Sequence, residues 1–174
     1  MSLTDLYFAY GAHMDLPTLR ALAGDARPVS PARLLGYRIL FSGHDPVWDS
    51  GTETLVADAQ ADTWGVLYRL RAAEWERLDL CMGATLEGAG QHFHYPVDLT
   101  TPLGERLQAR TYQKSARGEQ RPPSREYLDF LVAAAASHGL PAPYREALTT
   151  LPAPPARYPV PKTDPARRRR LPIL

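Results

Sequence analysis

The sequence predicts an α+β fold around a mostly antiparallel, barrel-like sheet. Three observations carry this. Strand-like segments fill the first two thirds of the chain and helical periodicity the last third. No βαβ alternation is present, which argues against a doubly wound parallel sheet. No internal repeat is present either. At 174 residues the chain is long enough to bury one core, and 44% hydrophobic with 22% charged residues is ordinary for a globular protein.

The elements follow in order. LYFAY, Leu6 to Tyr10, is a short aromatic run ending at Gly11, as a buried strand entering a tight turn would be. MDLPTLRALAG then reads as a helix. Asp15 is placed to cap it, Pro17 sits in the first turn where a missing N–H is harmless, and Gly24 ends it. RLLGYRILF, Arg33 to Phe41, is strand-like. Thr54 to Ala59 and Trp64 to Leu70 read as two arms of a hairpin with Asp62 in the turn. AAEWERLDL, from Ala72, reads as a helix with Trp75, Leu78 and Leu80 near one face and Glu74, Glu76 and Arg77 outside. Gly83 ends that helix, and a glycine-rich loop, Gly83 to Gly90, leads into strands Phe93 to Leu99 and Leu107 to Gln113. SREYLDFLVAAAASHGL is the clearest helix, with Ser124 as N-cap and Gly139 as its end, and a short helix follows from Pro143 to Leu148.

Charge and cysteine usage narrow the function classes. The net charge of +1 hides an acidic body and a basic tail, where Arg157, Lys162 and Arg167 to Arg170 face only Asp164. The division expected is a domain over residues 1–151 and a Pro/Arg-rich tail over 152–174. Four consecutive arginines could touch phosphates, but a near-neutral chain is not a nucleic-acid binder on charge grounds, and a tail wrapping the domain is the plainer reading. No apolar run is long enough to span a membrane, and no cationic segment precedes the first apolar stretch. Cys81 is the only cysteine, so the expected setting is the reducing cytoplasm. His92 and His94, two apart on a strand, share a face as metal ligands could, yet no third ligand stands at a defined spacing, and no metal is expected.

The strand–glycine–helix opening aims backbone N–H groups and a positive helix end at one spot, an arrangement suited to an anion. Three segments make the opening more specific. YFAYGAHM (Tyr7 to Met14), DTWGVLYRLRAAEWERLD (Asp62 to Asp79) and PPSREYLDFLVAAAASHGLPAPYREAL (Pro122 to Leu148) resemble, in order and spacing, elements of the γ-glutamylcyclotransferase-like superfamily. That superfamily includes the avirulence-induced-gene-like proteins. The LGY of Leu35 to Tyr37 and the Trp48 to Ala57 stretch also fall where that family has a strand and a Trp-containing loop.

The resemblance implies a small, mixed, mostly antiparallel β-barrel flanked by helices, with a pocket at the end of the first strand, and an enzyme that releases 5-oxoproline from a γ-glutamyl amine or peptide, without metal or organic cofactor. By that resemblance Tyr10, Gly11, Ala12, His13 and Met14 form the floor of the site, and Tyr112 and Tyr127 match the pocket tyrosines. His13 stands where the family has asparagine, which would bring titration near neutrality. Ala12 stands where it has serine. The catalytic glutamate belongs to an LDxxEG element. Aligned without gaps, LDLCMG puts Met82 there, and a thioether cannot take a proton. With a five-residue insertion, Glu87-Gly88 is the pair, and Glu87 is the candidate proton carrier. Both alignments stay open, and with them an alternative in which the protein binds a small amine or carboxylate without turnover. The expected partner is a small molecule rather than nucleic acid or membrane. A homodimer is compatible with the sequence.

Overall fold

The computed structural model describes residues 5–85 and 89–162. Its five strands, β1 (Leu6–Ala9), β2 (Arg27–Asp45), β3 (Ser50–Arg69), β4 (His92–Thr100) and β5 (Arg106–Lys114), close into a barrel in the order β1-β3-β2-β4-β5. Neighbours are antiparallel except β1 and β5, whose parallel contact at Tyr7 and Arg110 closes the ring. Helices α1 (Leu16–Ala23), α2 (Ala72–Met82), α3 (Arg125–Ser137) and α4 (Ala142–Thr149) flank it.

β1 is buried on both faces, and this is why its sequence is a continuous apolar run rather than an alternating one. Leu6, Phe8 and Tyr10 point into the barrel with Leu34, Leu55, Leu67 and Leu99. Tyr7 and Ala9 face the layer between barrel and helices, with Leu19, Tyr68, Trp75, Leu78 and Tyr112. The helix signals act as read. The Asp15 carboxylate accepts the Thr18 N–H at 2.9 Å, and Ser124 Oγ accepts the Tyr127 N–H at 3.3 Å. Gly83 ends α2 in the left-handed conformation, φ 58°, where a side chain would be strained.

Two expectations are corrected. The segment read as a hairpin around Asp62 is one long strand, β3. Its polar stretch ADAQAD is a bulge: Leu35 pairs with Asp62, and two residues later Tyr37 pairs with Ala57. The extra residues, opposite Gly36, are half-buried or exposed and none is buried, so a polar run marked an irregularity rather than a reversal. In α2, Leu80 is 80% exposed and Glu74 is buried. Helical spacing from Trp75 selects Leu78 and Met82, leaving Leu80 off the face. Glu74 is buried because its carboxylate accepts the Arg71 N–H at 2.8 Å and the Arg71 guanidinium at 2.6 Å.

The chain after α4 lies along the barrel. The buried Asp49 carboxylate, in the β2–β3 turn, accepts the Arg157 N–H at 2.8 Å and its guanidinium at 2.6 Å. His44 and Arg121 reach the same carboxylate. Further along, Lys162 N–H donates to the Val47 carbonyl at 2.8 Å. Arg167 to Arg170 lie outside the described residues.

Candidate functional site

β1 delivers the chain to a one-turn 3-10 helix, Ala12–Met14, at the mouth of a cavity of about 430 Å³. Tyr10, Gly11, Ala12, His13, Met82, Tyr112 and Tyr127, all singled out in the sequence, line it. Met14 does not: its side chain is 1% exposed in the core, and its carbonyl accepts the Tyr68 hydroxyl at 2.7 Å. The turn directs Met14 inward to hold the loop against the barrel. Glu87 lies outside the described residues.

Of the lining residues that sequence reasoning missed, Glu53 bears most on the chemistry. Glu53, on β3 opposite Phe41, places its carboxylate directly on the turn. Oε1 accepts the Ala12 N–H at 2.9 Å, and Oε2 accepts the Tyr127 hydroxyl at 2.7 Å. A Cβ added at Gly11 would meet Glu53 Oε1 at 1.6 Å, so the glycine of the turn is required by the closeness of this carboxylate. Asp45 also lines the cavity, but its Oδ1 accepts the Val47 N–H at 3.1 Å within the β2–β3 turn.

Beside the apolar Leu22, Pro46, Trp48 and Met82, the wall carries further polar groups. Tyr7 hydroxyl and His13 Nδ1 share a hydrogen bond of 2.7 Å. Burial, reinforced by the nearby His92, pushes the His13 imidazole down to about 4, so it is neutral around pH 7 and does not titrate there as the sequence implied. His92 Nδ1 donates to the Met82 carbonyl at 2.8 Å, since a carbonyl only accepts. Its Nε2 is therefore the acceptor nitrogen when the ring is neutral, and burial pushes its pKa down as well. The Tyr10 and Tyr127 hydroxyls are raised far above their usual range, by burial first and by the Glu53 charge second, so both are donors.

Tyr112 is anchored from outside the cavity. Its hydroxyl donates to Asp79 of α2, which also receives His94 Nε2 at 2.6 Å. Arg110 Nη1 donates to His94 Nδ1 at 3.1 Å and fixes that tautomer. His92 and His94 thus serve different neighbours, one the cavity wall and one Asp79. Among the described residues no group of three or more His, Cys, Asp or Glu could hold a metal ion. No helix among them is long and apolar enough to cross a membrane.

Comparison with known proteins agrees with this architecture. A family model described as the AIG2-like family matches residues 62–148. The chain belongs to the AIG2-like family. The AIG2-like match runs from the second half of β3 through α4 and so includes Met82, Tyr112 and Tyr127. Gamma-glutamylcyclotransferase from Bos taurus is 26% identical over 152 residues, 84% of this chain and 78% of that protein. The Homo sapiens protein of the same name is 25% identical over 150 residues, again 84% and 78%. A solved gamma-glutamyl cyclotransferase superposes with a TM-score of 0.81 at 24% identity, covering 90% of this chain and 92% of that one. This AIG2-like chain is γ-glutamylcyclotransferase-like in sequence and in fold.

Proposed function

We propose that the chain is an enzyme that releases 5-oxoproline from a γ-glutamyl amine or peptide by intramolecular aminolysis. The observation that carries this reading is the pairing, at one open cavity, of the Ala12 backbone N–H with a carboxylate 2.9 Å away. Cyclisation needs both. The substrate's α-amine must lose a proton to attack its own γ-carbonyl, and a carboxylate can accept it. The oxygen that gains charge in the attack needs a fixed donor, and a backbone N–H on a tight turn is one. A cavity of about 430 Å³ has room for a γ-glutamyl compound, and bringing the amine onto the γ-carbonyl there would let proximity lower the barrier by several kcal/mol.

No Lys or Arg is among the described residues lining the cavity, which supports a small polar substrate over a nucleic acid. The single cysteine supports a reducing, cytoplasmic setting. The test is direct: purified protein incubated with γ-glutamyl dipeptides and γ-glutamyl amines, with 5-oxoproline and the free amine quantified. Equal, enzyme-dependent release of both is the expected result. Saturable binding without release would instead favour the binder reading, for which Met82 in the cavity wall is the supporting observation.

A further inference from the structure

We infer that Glu53, a residue of the barrel strand β3, is the carboxylate that carries protons in this site, replacing the acid that the ungapped LDLCMG register puts at Met82, and that in the free protein it occupies the position of the substrate's oxyanion. The inference rests on the proposed cyclisation. Met82 closes α2 and lines the cavity, so the helix end does reach the site but brings a thioether to it. Glu53 reaches the same cavity from a different element. The site has an acid, supplied from the barrel rather than from the helix.

The two carboxylate oxygens are held differently. Oε2 is fixed by Tyr127, whose ring is 2% exposed and packs 5.4 Å from the ring of Trp48. Ser124 fastens that corner, donating to the Trp48 carbonyl at 2.7 Å and capping α3 just before Tyr127. Oε1 rests on the Ala12 N–H, the donor that a developing oxyanion would use. A substrate γ-carbonyl can claim that N–H only by displacing Oε1. The displaced oxygen, still tethered through Oε2, then needs a new cationic or donor partner, and the substrate's α-ammonium is one. Binding therefore exchanges partners: carbonyl oxygen to Ala12 N–H, ammonium to Glu53. Gly11 leaves room for that exchange, because any Cβ there would occupy the carboxylate's own space.

The chemistry balances without a further reactant. Glu53 takes a proton from the α-ammonium, and the amine lone pair forms the N–C bond while the carbonyl π electrons move to oxygen. Collapse restores the carbonyl and breaks the bond to the leaving nitrogen, which receives the proton from Glu53. The ring nitrogen loses its second surplus proton to water, and the departed amine takes one up. Two protons leave the α-nitrogen and two arrive on the amine.

The experiment compares wild type, Glu53→Gln, Glu53→Asp and Glu87→Gln for 5-oxoproline release across pH, with circular dichroism of each to confirm the fold. Glu53→Gln is expected to lower kcat by about 10²–10⁴-fold. Glu53→Asp is expected to keep part of the rate, since it keeps a carboxylate. In a Glu53→Ala background, Met82→Glu is expected to raise turnover at least about tenfold by returning a carboxylate to the cavity from α2. Turnover that survives Glu53→Gln within a few-fold but falls in Glu87→Gln would overturn the assignment and leave the cyclisation reading intact. A wild-type protein that cyclises none of the γ-glutamyl compounds would overturn both.

Discussion

Gly11→Ala tests the contact between turn and carboxylate without reference to any substrate. The added Cβ would lie 1.6 Å from Glu53 Oε1, 2.2 Å from Cδ and 2.5 Å from Cγ. Rotating the carboxylate alone cannot relieve a clash that extends to Cγ, so the whole side chain must leave. It then loses the Ala12 N–H and the Tyr127 hydroxyl, two hydrogen bonds to a charged acceptor. Each such bond contributes about 1.5–3 kcal/mol when buried, and water restores part of that at a half-buried carboxylate. The expected loss is about 1–3 kcal/mol, or roughly 3–10 °C in Tm for a chain of this size. In a Glu53→Ala background the same methyl group meets none of those atoms, so the loss should largely vanish. Thermal or urea unfolding of the four proteins of the cycle gives the coupling, expected at about 1–3 kcal/mol. An equal loss from Gly11→Ala in both backgrounds would refute the packing of Glu53 on the turn.

Other outcomes follow from the same structure. Tyr127→Phe removes the donor that fixes Glu53 Oε2, and 5-oxoproline release should fall about tenfold, the equivalent of one hydrogen bond of about 1.4 kcal/mol. His13 is held neutral by burial, with its pKa pushed down to about 4 from 6.5. The unfolded chain therefore binds the extra proton first. That contribution to stability is fully present above pH 6.5 and is lost as pH falls from 6.5 to 4, amounting to at most about 3 kcal/mol. His13→Asn should flatten the acid side of a stability–pH curve measured by denaturant unfolding. Asp49→Asn should loosen the chain around Arg157, because the lost carboxylate holds that residue by backbone and guanidinium together. Trypsin should then cut at Arg157 measurably faster while the barrel stays protected.

The barrel was legible where one physical signal dominated. The apolar run of β1 could only be a strand buried on both faces, and Asp15, Ser124 and Gly83 marked helix ends by their side-chain and backbone chemistry. β3 was not legible as one strand because the bulge opposite Gly36 leaves ADAQAD out of the core, and a polar stretch between apolar ones has the composition of a turn. Of the site, the turn and the two tyrosines could be read because they stand in motifs. Glu53 could not. TETLV reads as a strand with one acidic residue, and nothing local says that the residue points at a turn forty-one positions away. The available signal was weaker: a glutamate beside Thr54, Leu55 and Val56, all buried, is out of place unless it has a partner. Pairing across a barrel is a property of register, which the chain settles only on closing.

Whether this protein cyclises γ-glutamyl compounds is answered by mass-spectrometric measurement of 5-oxoproline from purified protein and a γ-glutamyl dipeptide. Saturable release, proportional to enzyme and matched mole for mole by the liberated amine, is the expected result. Tight, saturable occupancy of the cavity with the dipeptide recovered whole would contradict it.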